Sequence, residues 1–150
     1  MARLLIVHHS PTLPVRAIAD AVLSGTRFEG IEGVEVVERA ALEATVDDVL
    51  AADGYVLGTT ANFGYISGAL KHFFDTTFYQ TNEHTAKRPF SYWIHGGYDT
   101  TGAENAMKSI TTGYGFTLVA EPLVFTGEVD ESYVEKAAEL GATVAASLME

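Results

Sequence analysis

Apolar and polar positions alternate along this chain in blocks, with short apolar runs followed by segments of helical periodicity. Leu4 to His8 is the first such run, and Gly54-Tyr55-Val56-Leu57-Gly58 the third. Both have the unbroken apolar character of strands covered on two faces, as in a parallel sheet. Val34-Glu35-Val36-Val37-Glu38 alternates in part, as a more exposed second strand would. Pro89 to Ile94 reads as the fourth strand and Thr117 to Phe125 as the fifth. Pro122 has no N–H to give to a ladder, which puts the fifth strand at a sheet edge.

The intervening segments read as helices. Val15, Ile18, Ala19 and Val22 share one face after the turn Ser10-Pro11-Thr12-Leu13-Pro14, and Gly25 lies where that helix could stop. Pro14 is tolerated in a first turn, where its missing N–H has no intrahelical partner. Thr45 to Asp48 and Thr101 to Glu104 resemble capping boxes, and Ser67 can cap a helix that buries Leu70, Phe73 and Phe74. The final helix begins near Asp130, with Val134, Ala137, Ala138, Gly141, Val144, Ala145 and Leu148 as its apolar stripe. Tyr79 to Arg88 is a polar loop, long for a compact domain and compatible with a lid or a subunit contact, with simple mobility as the default. Strand and helix alternating five times predict one three-layer, doubly wound α/β domain over residues 1–150. Strand order 2-1-3-4-5 fits best, because it leaves the Pro122 strand on an edge.

That order has its switch point between strands one and three, where open α/β sheets bind ligands. Ser10 and Thr12 lie there beside a helix amino terminus with unpaired N–H groups, a combination that can hold a phosphate monoester. Taken alone, the same hydroxyls are read more readily as helix caps. Thr60, Ala61, Asn62, Phe63 and Gly64 follow the third strand and suit a planar aromatic ligand: Gly64 admits close approach, Asn62 offers amide donors and an acceptor, and Phe63 a stacking face. His95-Gly96-Gly97-Tyr98-Asp99 ends the fourth strand at the same edge.

Composition narrows the options. The chain has 150 residues, no cysteine and a formal net charge of −11. Thiol redox chemistry and cysteinate metal sites are excluded, so redox function needs a cofactor. The acidity disfavours nucleic acid and anionic membranes and is otherwise read as solubility, or as attraction for a basic partner. No run approaches the ~20 apolar residues of a membrane span, and Met1-Ala2-Arg3 leads straight into the first strand, so a cytoplasmic location is expected. The loop after strand one lacks G-x-G-x-x-G, and G-x-x-x-x-G-K-[ST] occurs nowhere. No metal site is expected: His8 and His9 are strand neighbours pointing to opposite faces. Trp93 reads as core, and His72 and His84 as surface.

The three loops together resemble the FMN site of the flavodoxin-like superfamily. Residues 58 to 75 are similar to its quinone reductases of the tryptophan-repressor-binding-protein type, whose pattern is Gly-Ser-Pro-Thr-x-Phe-Gly-x-x-Ser-Gly-x-Leu-Lys-x-Phe-x-Asp. Gly58, Phe63, Gly64, Ser67, Gly68, Leu70, Lys71, Phe73 and Asp75 match it. The resemblance implies FMN, with Ser10, Thr12, Leu13, Pro14 and Val15 at its phosphate. Thr60 to Gly64 would border the ring, and His95 to Asp99 its other edge. His95 would hydrogen-bond the flavin or donate a proton, or else be a loop histidine satisfied by backbone.

Departures from the family are local. Its phosphate loop reads Ser/Thr-x-Thr-Gly-Asn-Thr, whereas here Pro14 has no N–H, Val15 no hydroxyl, and Ala61 replaces a threonine. Two roles are implied: an electron carrier docking a partner protein, or an enzyme taking hydride from NAD(P)H to reduce a quinone-like acceptor. The central loop leans towards the enzyme and the short chain towards the carrier. A cofactor-free protein of this fold, acting through protein interactions, is the alternative that Pro14 and Val15 favour. A receiver-type signalling domain shares the topology but needs acidic residues where this chain has His8-His9 and Gly58-Thr59-Thr60.

Overall fold

The computed structural model describes residues 1–150. Its elements run β1 (Ala2–His8), α1 (Leu13–Gly25), β2 (Val34–Ala40), α2 (Val46–Ala51), β3 (Gly54–Asn62), β4 (Tyr65–Ile66), α3 (Gly68–Thr81), β5 (Pro89–Gly96), α4 (Thr101–Tyr114), β6 (Thr117–Leu118), β7 (Leu123–Thr126) and α5 (Glu131–Ser147). The sheet order is β2-β1-β3-β5-β6, with β7 also on β5 and β4 antiparallel to β3. The predicted order is therefore present, β5 being the expected fourth strand and β6 with β7 the expected fifth.

The apolar runs explain the layers. Successive side chains of a strand point to opposite faces. Leu5 and Val7 accordingly enter one core with Leu57, Leu70, Phe73, Phe74, Tyr92 and Met107, under α2, α3 and α4. Leu4 and Ile6 enter the other with Val56, Trp93, Ile18, Val22 and Val144, under α1 and α5. Helices thus cover both faces. No helix is long and apolar enough to cross a membrane.

Several local expectations change. The fifth strand is broken: the chain leaves the ladder before Pro122, held beside β5 by the Val119 N–H on the Phe90 carbonyl at 3.0 Å and the Ser91 hydroxyl on that of Ala120 at 2.9 Å. Gly25 closes α1 at the expected place, but the next residue, Thr26, keeps right-handed φ −64°, so no left-handed stop is made. The box at Thr45 forms with both halves, whereas the N-cap position of α4 falls one residue earlier than predicted, at Thr100, whose side chain makes no cap bond to the helix backbone. There the Asp99 carboxylate accepts the Thr101 N–H at 3.0 Å, and the Thr100 hydroxyl donates to Glu104 at 3.0 Å.

The segment 79–88 is no free loop. Helix α3 continues to Thr81, Thr85 is fully buried, and the Lys87 N–H donates to the Gly115 carbonyl at 2.7 Å. Arg88 donates to the Ala52 carbonyl at 2.7 Å and also reaches those of Val49 and Leu50. The order comes from the Arg88 guanidinium and the Lys87 backbone N–H, while the side chains of Gln80, Glu83, His84 and Lys87 stay exposed to water.

Two predictions follow from this packing. A Cβ on Gly141 would lie 2.1 Å from the Val22 carbonyl oxygen of α1, so Gly141→Ala should cost about 1–3 kcal/mol of stability in urea unfolding by overpacking. The Tyr114 hydroxyl bonds Thr77 at 2.7 Å and the Phe74 carbonyl at 3.0 Å. Burial is the main cause pushing its pKa from 10.0 up to about 12. The folded state therefore keeps the proton where the unfolded chain loses it. The stability advantage of wild type over Tyr114→Phe should be full below pH 10.0 and shrink as pH rises towards about 12.

Candidate functional site

Neighbouring strands β1 and β3 send their chains to helices on opposite faces, α1 and α3, so their carboxyl ends part into a crevice. The His9 N–H donates to the Gly58 carbonyl at 3.0 Å, the last rung before the chains diverge. On the β1 side, Thr12 caps α1 by accepting the Val15 N–H at 3.5 Å, which leaves its own hydroxyl hydrogen free. The Arg16 N–H is taken by the Thr12 carbonyl. The N–H groups of Ser10, Thr12 and Leu13 have no partner within the protein. Pro14 and Leu13 are exposed and Val15 is buried under the helix. Ser10, Thr12 and Leu13 are thus brought together as donors, while Pro14 and Val15 can give only van der Waals contact.

On the β3 side the residues expected as a loop after the strand form the tip of a hairpin. Asn62 pairs with Tyr65 across β3 and β4, with Phe63 (φ 51°) and Gly64 (φ 76°) as the two turn residues. Positive φ at both positions is the type I′ pattern, which matches strand twist and prefers Asn-Gly. Phe63 in that conformation is strained by roughly 1–2 kcal/mol. Its side chain is fully exposed, packed on nothing. Thr59 stiffens the base, its buried hydroxyl accepting the Ser67 N–H at 2.9 Å, and Ser67 in turn caps α3 through the Leu70 N–H at 3.1 Å. The Thr60 hydroxyl is enclosed without a partner.

The end of β5 closes the group. A Cβ on Gly96 would lie 3.2 Å from that of Ala61, and one on Gly102 would lie 1.9 Å from the Gly64 carbonyl oxygen, so the hairpin rests on the start of α4. Gly97, Tyr98 and Asp99 are exposed, Tyr98 at 92%. The Thr101 N–H holds the Asp99 carboxyl below its usual range. His95 turns away from this rim: its Nε2 donates to the Gly127 carbonyl at 2.7 Å, and its ring lies 4.9 Å from that of Phe125. Of the two readings of His95, the geometry favours the one held by backbone.

One arrangement escaped the sequence reading. His8, only 3% exposed, has Nδ1 2.8 Å from the Ser10 hydroxyl and Nε2 2.7 Å from a Glu38 carboxylate oxygen. Its ring lies 5.7 Å from that of Trp93, which covers Gly58 so closely that a Cβ there would be 2.1 Å from the indole. Only the β1–β2 register could have revealed this. His8 stands opposite Ala40, which places Glu38, two residues back, on the same face.

The residues present fit a phosphorylated planar ligand. Unpartnered N–H groups and the free Thr12 hydroxyl hydrogen gather at one end, the Thr60 hydroxyl is orphaned, and exposed rings at Phe63 and Tyr98 accompany open space beside Gly64 and Gly97. Other concavities lie away from this rim: a groove between α3 and α4 lined by Lys71, Phe74, Asp75, Phe78, Tyr79 and Ile110, and a more polar one beside β7 and α5 lined by Glu121, Tyr133, Lys136 and Glu139.

Comparisons with known proteins identify the fold and the family. A flavodoxin of Aquifex aeolicus is 37% identical over 75 residues, which cover 50% of this chain and 40% of that protein. An NAD(P)H dehydrogenase (quinone) of Nitrobacter winogradskyi is 27% identical over 172 residues, covering 97% of this chain and 84% of that one. The structure of a WrbA-like flavodoxin protein from Agrobacterium tumefaciens superposes with TM-score 0.77 at 18% identity, over 99% of this chain and 98% of the other. The three-layer fold is therefore flavodoxin-like. The NADPH-dependent FMN reductase family model matches residues 15–131, and the chain belongs to that family.

Proposed function

We propose that residues 1–150 act as one FMN-binding domain that takes reducing equivalents from NAD(P)H and passes them to a small quinone-like acceptor. The observation that carries this reading is the convergence, at one switch point, of an unpartnered donor cluster with two exposed aromatic rings. In this reading Ser10, Thr12 and the N–H groups of Thr12 and Leu13 hold the phosphate, and Pro14 and Val15 pack beside it. Two hydrogen bonds fewer than the family loop, at roughly 0.5–1.5 kcal/mol each, weaken FMN binding without abolishing it.

Thr60 to Gly64 border one edge of the ring and Gly96 to Asp99 the other. Phe63 and Tyr98 would supply aromatic faces to pack on the ring, which would offset the cost of the strained hairpin and of leaving two large side chains in water. His95 keeps Phe125 and Gly127 in place behind that loop and is not assigned a proton-transfer role. Bound FMN supplies the hydride-accepting chemistry that the side chains of this cysteine-free chain lack. A cytoplasmic location, where NAD(P)H is available, belongs to the same proposal.

The net charge of −11 and the exposed rim favour a second reading, a carrier that docks a basic reductase. Purified protein titrated with FMN should quench flavin fluorescence, and the loaded protein should oxidise NAD(P)H only when a small quinone is present. Full binding without turnover would leave the carrier, and unchanged fluorescence at micromolar protein would refute FMN altogether. Phe63→Asn should relieve turn strain and stabilise the flavin-free protein by up to about 1 kcal/mol. It should also weaken FMN roughly two- to tenfold through loss of about 0.5–1.5 kcal/mol of stacking. Urea unfolding and fluorescence titration measure the two effects.

A further inference from the structure

We infer that His8 and Glu38 are positioning residues that control which way the Ser10 hydroxyl points, so that holding a phosphate dianion at the β1–α1 loop takes up one proton at His8. The inference rests on the phosphate placement proposed above and adds a pH-dependent specificity for phosphorylated over unphosphorylated flavin.

Glu38, as a carboxylate, can only accept, so the His8 nitrogen 2.7 Å from it, Nε2, must carry hydrogen. In neutral His8 the other nitrogen, Nδ1, is then bare, and Ser10, 2.8 Å away, must donate to it. A Ser10 hydroxyl committed in this way presents only lone pairs to the loop, where an anion requires a donor. Turning the hydrogen outward would strand a bare Nδ1 in a ring that is 3% exposed. Protonated His8 resolves the conflict: Nδ1–H donates to Ser10, the Ser10 hydrogen is released towards the phosphate, and a positive charge lies one residue contact behind the dianion.

No other group competes for the ring. β3 contributes only the Gly58 backbone on that side, and β5 contributes Trp93. On β2, Arg39 is engaged with Asp48 at 3.4 Å. The charged side chains of α1, Arg16 and Asp20, are more than half exposed and 3.9 Å from each other. The charged residues of α5, Glu131, Glu135, Lys136 and Glu139, are exposed, as is the flanking Pro11, and half-buried His9, just past the end of β1, makes no side-chain hydrogen bond to the ring.

The test measures binding, not turnover. Dissociation constants of FMN and riboflavin are measured by fluorescence quenching between pH 6.5 and 8.5, a range chosen to lie above the phosphate second ionisation near about 6. For wild type, the FMN constant should rise with pH, by at least about threefold over the range and at most about tenfold per unit for one proton. Riboflavin should show no such slope. Glu38→Gln is the decisive variant. A neutral amide lets His8 carry its hydrogen on Nδ1 and accept on Nε2, which frees Ser10 without proton uptake. This variant should bind FMN at pH 8.5 as tightly as wild type does at 6.5, with the slope lost; circular dichroism confirms its fold.

A slope unchanged in Glu38→Gln, weakening by the same factor at every pH, or an FMN slope no steeper than that of riboflavin, would overturn the inference. FMN binding no tighter than riboflavin at any pH would instead overturn the phosphate placement on which it rests. His8→Gln serves as the second variant and should flatten the FMN slope while riboflavin affinity stays within about twofold of wild type.

Discussion

A helix can cover only one face of a sheet, and β1 and β3, although side by side, feed helices on opposite faces. This constraint shapes the rest of the molecule. Once α1 packs under Leu4 and Ile6 and α3 under Leu57, the two chains must separate beyond His9 and Gly58, and the resulting crevice cannot be filled by either helix. Its walls are therefore made from loop residues, and whatever the loops do not use among themselves is left for a ligand. The buried strands fix the crevice, and the exposed residues on its rim give it chemistry.

Stability and function pull in opposite directions at that rim. Phe63 occupies the turn position where Asn would be relaxed, and it stands in water without a neighbour. Tyr98 is similarly placed at the end of β5. Behind them the supports are rigid: Thr59 ties Ser67 and thereby α3, Asp99 and Thr100 hold the start of α4, and Trp93 presses on Gly58. Strain and exposed apolar surface are thus confined to side chains that a flat ligand would cover, while the backbone that presents them is fixed by buried contacts.

The layers were legible because burial on both faces leaves a signal in composition: Leu4 to Val7 and Tyr55 to Leu57 have no polar interruption. The three loops were legible because glycine, aromatic and hydroxyl residues cluster directly after apolar runs. What stayed hidden depended on pairing between distant strands or on geometry finer than a residue pattern. The hairpin at Asn62 to Tyr65 lacks a strong turn signal, since Phe stands where Asn is usual. The order in 79–88 comes from Arg88 and Lys87 reaching backbone carbonyls across the fold. The contact of His8 with Glu38 exists only through the β1–β2 register, and Pro122 marked an edge strand without revealing that the strand breaks before it.

The account stands or falls on where the ligand lies. Backbone amide shifts of the isotope-labelled protein, recorded while FMN is added, locate it directly. The account predicts the largest changes at Ser10 to Val15, Thr60 to Gly64 and Gly96 to Asp99, with α2 and the outer face of α5 unmoved. Changes concentrated instead in the α3–α4 groove around Phe78 and Ile110 would contradict it.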